Sequence, residues 1–145
     1  MSPMVRDAYL PGVPCWVDTA QLDPAAAAGF YGDLFGWRFA DRVPAGSPVR
    51  YLVGRLDEHD VAGIGSDPAA VPATPTWDTY VSVASADEAA ARVREAGGAV
   101  LAPPFDVLDD GRMAVCADPA GAPFRLWEPR GFAGAQVANE AGTWN

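Results

Sequence analysis

Apolar and polar residues alternate along this chain in two stretches that share one grammar. The first opens on Val13-Pro14-Cys15-Trp16-Val17-Asp18, an apolar run with β-branched and aromatic residues that predicts a strand. Asp23-Pro24 follows, with Asp placed to cap a helix and Pro suited to its first position. Ala25 to Leu34 predict that helix, with Phe30, Tyr31 and Leu34 at helical spacing, and Gly36 stops it. Trp37 to Ala40, Val49 to Gly54 and Val61 to Gly65 predict three strands, with turns at Pro44 to Pro48 and Asp57 to Asp60.

After a Pro/Ala-rich linker, Asp67 to Pro75, the pattern repeats. Trp77 to Ala84 predicts a strand, and Ser85 caps a helix over Ala86 to Ala96, with Asp87 and Glu88 in its first turn. Gly97-Gly98 ends it. Ala99 to Ala102, Arg112 to Ala117 and Phe124 to Glu128 predict three more strands, separated by Asp109-Asp110-Gly111 and Asp118-Pro119-Ala120-Gly121. The expected fold class is therefore α+β: two βαβββ units forming a curved eight-stranded mixed sheet, with helices on the convex face and a concave cup left for a ligand. The expected boundaries are an N-terminal segment 1–11, one domain 12–130 with units 12–66 and 76–129 around the linker 67–75, and a tail 131–145.

Charge and composition narrow the partners. Ten basic and nineteen acidic residues give a net charge of −9, which argues against nucleic acid and suits either solubility or a cationic ligand. No apolar run is long enough to span a membrane, and Met1 to Tyr9 lacks the pattern of a secretory signal, so the expected location is the cytoplasm. Cys15 and Cys116 lie in separate apolar strand-like runs and read as buried thiols. The single histidine, His59, falls in the polar turn Asp57-Glu58-His59-Asp60 and reads as a solvated loop residue.

Asp23-Pro24…Phe30-Tyr31…Leu34-Phe35-Gly36-Trp37, Asp87-Glu88-Ala89-Ala90…Ala96-Gly97-Gly98 and the closing Asp118-Pro119-Ala120-Gly121…Phe124-Arg125-Leu126-Trp127-Glu128 resemble, in order and spacing, the vicinal oxygen chelate superfamily, which holds glyoxalase, bleomycin-resistance and dioxygenase proteins. Pro14 to Asp18, Phe35-Gly36-Trp37, Gly111 to Val115 and Asp118 to Ala122 look like actinobacterial members in which two such domains often run in tandem. The tail Asn139 to Asn145 resembles the opening of a second copy, with Trp144 echoing Trp16; the alternative is a loose tail. The resemblance also implies pairing as a homodimer, and five tryptophans suit an aromatic interface.

Carried onto this chain, the superfamily's metal positions fall on Trp16, Asp78 and Glu128, with the fourth near Gly63 or Ile64. Tryptophan's indole is only a donor, so a metal-free pocket is the expectation; Asp78 and Glu128 sharing a magnesium-like ion is the minority alternative. Strand alternation then points Trp16, Asp18, Asp78, Tyr80, Phe124, Leu126 and Glu128 into the cup, with Arg125 and Trp127 behind. The alternative for the aromatic residues is ordinary core packing. Arg112 reads as a surface charge. Three functions remain in view: a binding protein that sequesters an aromatic or cationic natural product; a metal-independent isomerase, cyclase or lyase of secondary metabolism with Asp78 or Glu128 as acid or base; and, last, a metal-dependent lyase or dioxygenase.

Overall fold

The computed structural model of the protein describes residues 4–144. Its elements run β1 (Pro14–Ala20), α1 (Pro24–Phe35), β2 (Arg38–Asp41), β3 (Tyr51–Leu56), β4 (His59–Gly65), β5 (Trp77–Ser82), α2 (Ala86–Glu95), β6 (Ala99–Val107), β7 (Gly111–Ala117) and β8 (Pro123–Pro129). The eight strands form a mixed sheet in the order β2-β3-β4-β1-β5-β8-β7-β6. This is the α+β repeat that the pattern predicts. The chain divides into two compact units. Of the described residues, unit 1 comprises 4–6, 17–77 and 135–144, and unit 2 comprises 7–16 and 78–134.

In unit 1, β3 pairs antiparallel with β2 and β4, and β4 pairs parallel with β1. Asp23 caps α1 by accepting from the Ala26 N–H at 3.0 Å, and Gly36 closes it in the left-handed conformation. One face of α1 meets β2, β3 and β4 over Val17, Trp37, Val61 and Ala62, with Tyr31, Phe35, Phe39 and Trp77 packed around them. Gly54 makes room for this cluster: a Cβ there would lie 3.1 Å from the Phe39 ring and 3.2 Å from Trp37.

In unit 2, β5 pairs parallel with β8, and β7 pairs antiparallel with β8 and β6. Ser85 caps α2 through the Glu88 N–H at 3.2 Å. Asp87 and Glu88 sit at the helix's positive end and Arg92 and Arg94 at its negative end, which favours this helix where it stands. α2 covers Val83, Ala114, Cys116 and Leu126, with Val93, Val100 and Phe124 packed at the margin.

Three features depart from the local pattern. β6 continues five residues beyond the expected end, through Pro103-Pro104, because an edge strand needs ladder bonds on one side only. Its register shifts twice against β7. His59 belongs to β4 rather than to the turn: Asp57 and Glu58, both at positive φ, make a two-residue hairpin turn. The tail is not loose where it is described. Gln136 exchanges backbone and side-chain hydrogen bonds with Asp60, Val137 is buried, Trp37 Nε1 donates to the Gly142 carbonyl, and Trp144 stacks on Trp77 at 4.5 Å. Asn145 lies outside the described residues, as do Met1 to Pro3 of the N-terminal segment.

Arg112 ties α2 to the β6–β7 hairpin, 2.9 Å from Asp87 and 3.1 Å from Asp106. Its hydrogen bonds hold both carboxyls below their ordinary 3.8. A depressed carboxyl pKa contributes stability that is complete above the unfolded-state value and is lost as pH falls through the folded one. We therefore expect Arg112→Gln to be less stable than the parent at pH 7, by an amount that shrinks as pH drops below about 4. Urea midpoints at a series of pH values check this; a gap that stays constant into acid contradicts it.

Candidate functional site

Each helix covers one face of its own four strands, which leaves a helix-free face. In unit 2 the register decides what lies there. Ala114 and Leu126 are partners and point at α2, as do Cys116 and Phe124. The alternate positions therefore point away: Met113 opposite Trp127, Val115 opposite Arg125, and Phe105 opposite Met113. Parallel pairing of Tyr80 with Arg125 and of Ser82 with Trp127 adds Asp78, Tyr80 and Ser82 of β5 to the same face.

This face carries one charged cluster. The Arg125 guanidinium donates to Tyr80 Oη at 2.8 Å and to Asp78 Oδ2 at 3.2 Å, and its carbon lies 5.4 Å from the Tyr80 ring centroid. Arg125 and Asp78 side chains are 18% and 14% exposed, so their charges are largely withdrawn from water yet reachable. Beside them lie apolar side chains: Met113 is buried, Val115 half-buried, and Phe105 exposed. At the other end, Trp127 donates from Nε1 to the Phe132 carbonyl, and the Phe132 ring meets Trp16 edge-on at 4.9 Å. The face thus joins a polar anchor to an apolar shelf, which suits a small organic molecule with a flat body and a polar group.

In unit 1, Tyr51 Oη donates to Asp18 Oδ2 at 2.8 Å. Gly63, the Cα partner of Asp18, permits this: a Cβ there would sit 2.3 Å from Tyr51 Oη. Farther along, the buried Asp60 receives Arg42 at 2.8 Å and Arg55 at 3.1 Å, a structural ion cluster that the tail completes through Gln136.

The expected site residues are thus divided. Asp78 and Tyr80 share the helix-free face of unit 2, as alternation predicts. Trp16 is buried against Phe132, the packing alternative. Asp18 is buried and bonded to Tyr51 in unit 1. Phe124, Leu126 and Glu128 lie on the α2 side, and Arg125 and Trp127 face the other way, the reverse of the expected parity for β8. Glu128 shows why: its Oε1 accepts from the Ala86 N–H at 2.9 Å, satisfying the first turn of α2, with Arg130 at 3.6 Å from its other oxygen. Asp78 and Glu128 consequently occupy opposite faces and do not form one ion site. The donor set does not fit the superfamily's metal centre; among the described residues no three His, Cys, Asp or Glu side chains gather to hold an ion. Arg125, Met113, Val115 and Phe105 are the residues of this face that strand alternation, anchored on Glu128, leaves out.

Neither cysteine offers nucleophilic chemistry. Burial pushes the Cys15 thiol up to about 12 and raises Cys116 as well, so both remain protonated near neutrality.

A family model described as Glyoxalase/Bleomycin resistance protein/Dioxygenase superfamily matches residues 19–126. The chain is 41% identical over 145 residues to the Mycobacterium tuberculosis (strain CDC 1551 / Oshkosh) protein named "Putative glyoxylase CFP32", covering 97% of this chain and 55% of that one. It is 38% identical over 149 residues to "Anthracycline biosynthesis protein DnrV" of Streptomyces peucetius, covering 93% and 54%. The chain therefore spans about half the length of the curated relatives it matches. Among solved structures, a variant of Streptomyces coelicolor methylmalonyl-CoA epimerase in complex with 2-nitronate-propionyl-CoA is similar in fold, with a TM-score of 0.62 at 17% identity over 83% of this chain and 99% of that one. Among the described residues, no helix is long and apolar enough to cross a membrane.

Proposed function

We propose a function from one premise: the chain belongs to the Glyoxalase/Bleomycin resistance protein/Dioxygenase superfamily. It binds a small aromatic, oxygen-bearing secondary metabolite on the helix-free face of unit 2, without a metal. The carrying observation is the Arg125–Tyr80–Asp78 cluster with Val115 opposite Arg125 and the exposed Phe105 farther along the same face. The shelf supplies apolar area, and the guanidinium supplies donors for a carbonyl or phenolic oxygen. Because Asp78 balances Arg125, the face favours a neutral or weakly acidic ligand over a cation. A relative named for anthracycline biosynthesis supports an aromatic polyketide as the ligand class.

Titration with an anthracycline, followed by tryptophan fluorescence, tests this. Saturable quenching through Trp127 is expected, and its absence with every planar hydroxyquinone tried would remove the reading. The same relative favours a second reading, in which the bound compound is converted with Asp78 as acid or base. Chromatography of the titrated mixture distinguishes the two, since sequestration returns the compound unchanged. Neither reading uses Glu128, whose Oε1 accepts from the Ala86 N–H of α2.

A further inference from the structure

The helix-free face of unit 1 carries more positive charge than its own acids match. Trp37 and Phe39 of β2 pack on the α1 side, and a Cβ on Gly54 of β3 would meet both rings. Arg38 and Arg55, their neighbours along each strand, therefore point to the other face. The register makes these two arginines direct partners across β2 and β3. Their Cβ atoms stand about 5 Å apart, a pairing of like charges that disfavours the sheet unless something offsets it. Arg42 has the parity of Arg38, and its guanidinium meets that of Arg55 on one carboxylate. Asp60 Oδ1 accepts from Arg42 Nη2 at 2.8 Å and from Arg55 Nε at 3.1 Å.

We propose that Arg38, Arg42 and Arg55 form an anion site that takes a phosphate group, as the free ion or as a monoester, with Asp60 fixing two of the guanidiniums from beneath. Asp60 is 7% exposed, whereas the side chains of Arg42 and Arg55 are 46% and 38% exposed, so solvent meets the cations first. Asp41 is engaged with Arg50. Among the described residues, the turn acids Asp57 and Glu58 form no ion pair with these arginines, and Arg38 has none with any acid. Donors remain: Arg42 spends only Nη2 on Asp60, and Arg55 keeps Nη1 after bonding Asp60 and the Glu58 carbonyl. Charge selects the ligand. Three guanidiniums against one carboxylate leave an excess of two, which a phosphate monoester of about −1.5 to −2 at pH 7 meets and a single carboxylate does not. Guanidinium forks also match phosphate oxygens two at a time. The bound anion offsets the opposition of Arg38 and Arg55. A chain of net charge −9 otherwise repels phosphate, so a local excess of this kind is what holds it.

Calorimetric titration of the full chain with inorganic phosphate and with glycerol phosphate tests the proposal, beside thermal denaturation in phosphate and in chloride at equal ionic strength. The parent is expected to bind saturably, and its midpoint to rise further in phosphate than in chloride. Arg38→Gln, at an exposed position without an ion pair among the described residues, should fold as the parent does and bind at least about fivefold more weakly. In chloride it should be no less stable than the parent, because it removes a cross-strand repulsion. Arg92→Gln, at an exposed position of α2, makes the same change in net charge and should bind phosphate as the parent does. Binding of the ion or of the ester supports the site, and the tighter of the two identifies the source. Phosphate that protects no better than chloride overturns the proposal. So does equal weakening by Arg38→Gln and Arg92→Gln, which would mark a diffuse effect of charge. The site stands on unit 1 alone, and its outcome is independent of whether the helix-free face of unit 2 quenches with a ligand.

Discussion

Gly134→Ala is expected to lower the unfolding free energy by about 3 kcal/mol or more, and the thermal midpoint by roughly 10 °C. Two costs meet at this position. Its φ of +130° lies where side chains other than glycine's are strained. A Cβ built there would also lie 2.3 Å from the Cys15 carbonyl oxygen and 3.0 Å from its carbonyl carbon. Those are backbone atoms of β1 and cannot swing aside as a side-chain end would. Any relaxation must move the 130–134 segment, and with it Phe132, which holds Trp16 and receives Trp127. Gly121→Ala separates the two costs, because Gly121 has a φ of +92° and nothing within 4 Å of its Cβ position. It should lose only the strain, about 1 kcal/mol. Thermal denaturation of both variants decides the matter; equal losses would show that the clash with Cys15 contributes nothing.

The contrast between Gly134 and the helix caps shows which parts of this molecule local sequence can specify. Asp23-Pro24, Ser85 and Gly36 act on hydrogen bonds within three or four residues of themselves, so both helices were legible to within one residue or so at each end. Strand existence was legible for the same reason. Which way a strand's residues face depends on a partner far away in sequence, and a shift of one position reverses every side chain. In β8, the resemblance to the superfamily's closing glutamate puts Phe124, Leu126 and Glu128 together on the ligand side. In this chain the glutamate is committed to the Ala86 N–H, and Leu126 follows it to the α2 side. Arg125 consequently becomes the ligand-side residue. A signal did exist: β7 places small residues, Ala114 and Cys116, in alternation with Met113 and Val115, and the alanine-rich α2 needs small or medium partners such as Leu126. The two prolines of β6 were another place where a local rule gave way, because edge position is a property of the sheet and not of the segment.

Arg125→Met is expected to lose ligand affinity by tenfold or more and stability by about 1–3 kcal/mol. The two losses have different origins, and a double-variant cycle separates them. Methionine keeps most of the length and apolar contact of the arginine stem over Tyr80 but removes the guanidinium. The Asp78 carboxylate, at 14% exposure, then loses a charged partner at 3.2 Å and must keep its charge where water only partly reaches. Asp78→Asn in the same chain removes that charge, so Arg125→Met/Asp78→Asn should recover much of the stability lost by Arg125→Met alone. Binding should not recover with it, because asparagine restores no cation to meet a carbonyl or phenolic oxygen. Fluorescence titration and urea unfolding of the parent, both single variants and the double variant complete the cycle. If binding returns with stability, Arg125 acts by holding β5 and β8 in place and does not touch the ligand. If neither quantity falls in Arg125→Met, the helix-free face of unit 2 is not the site.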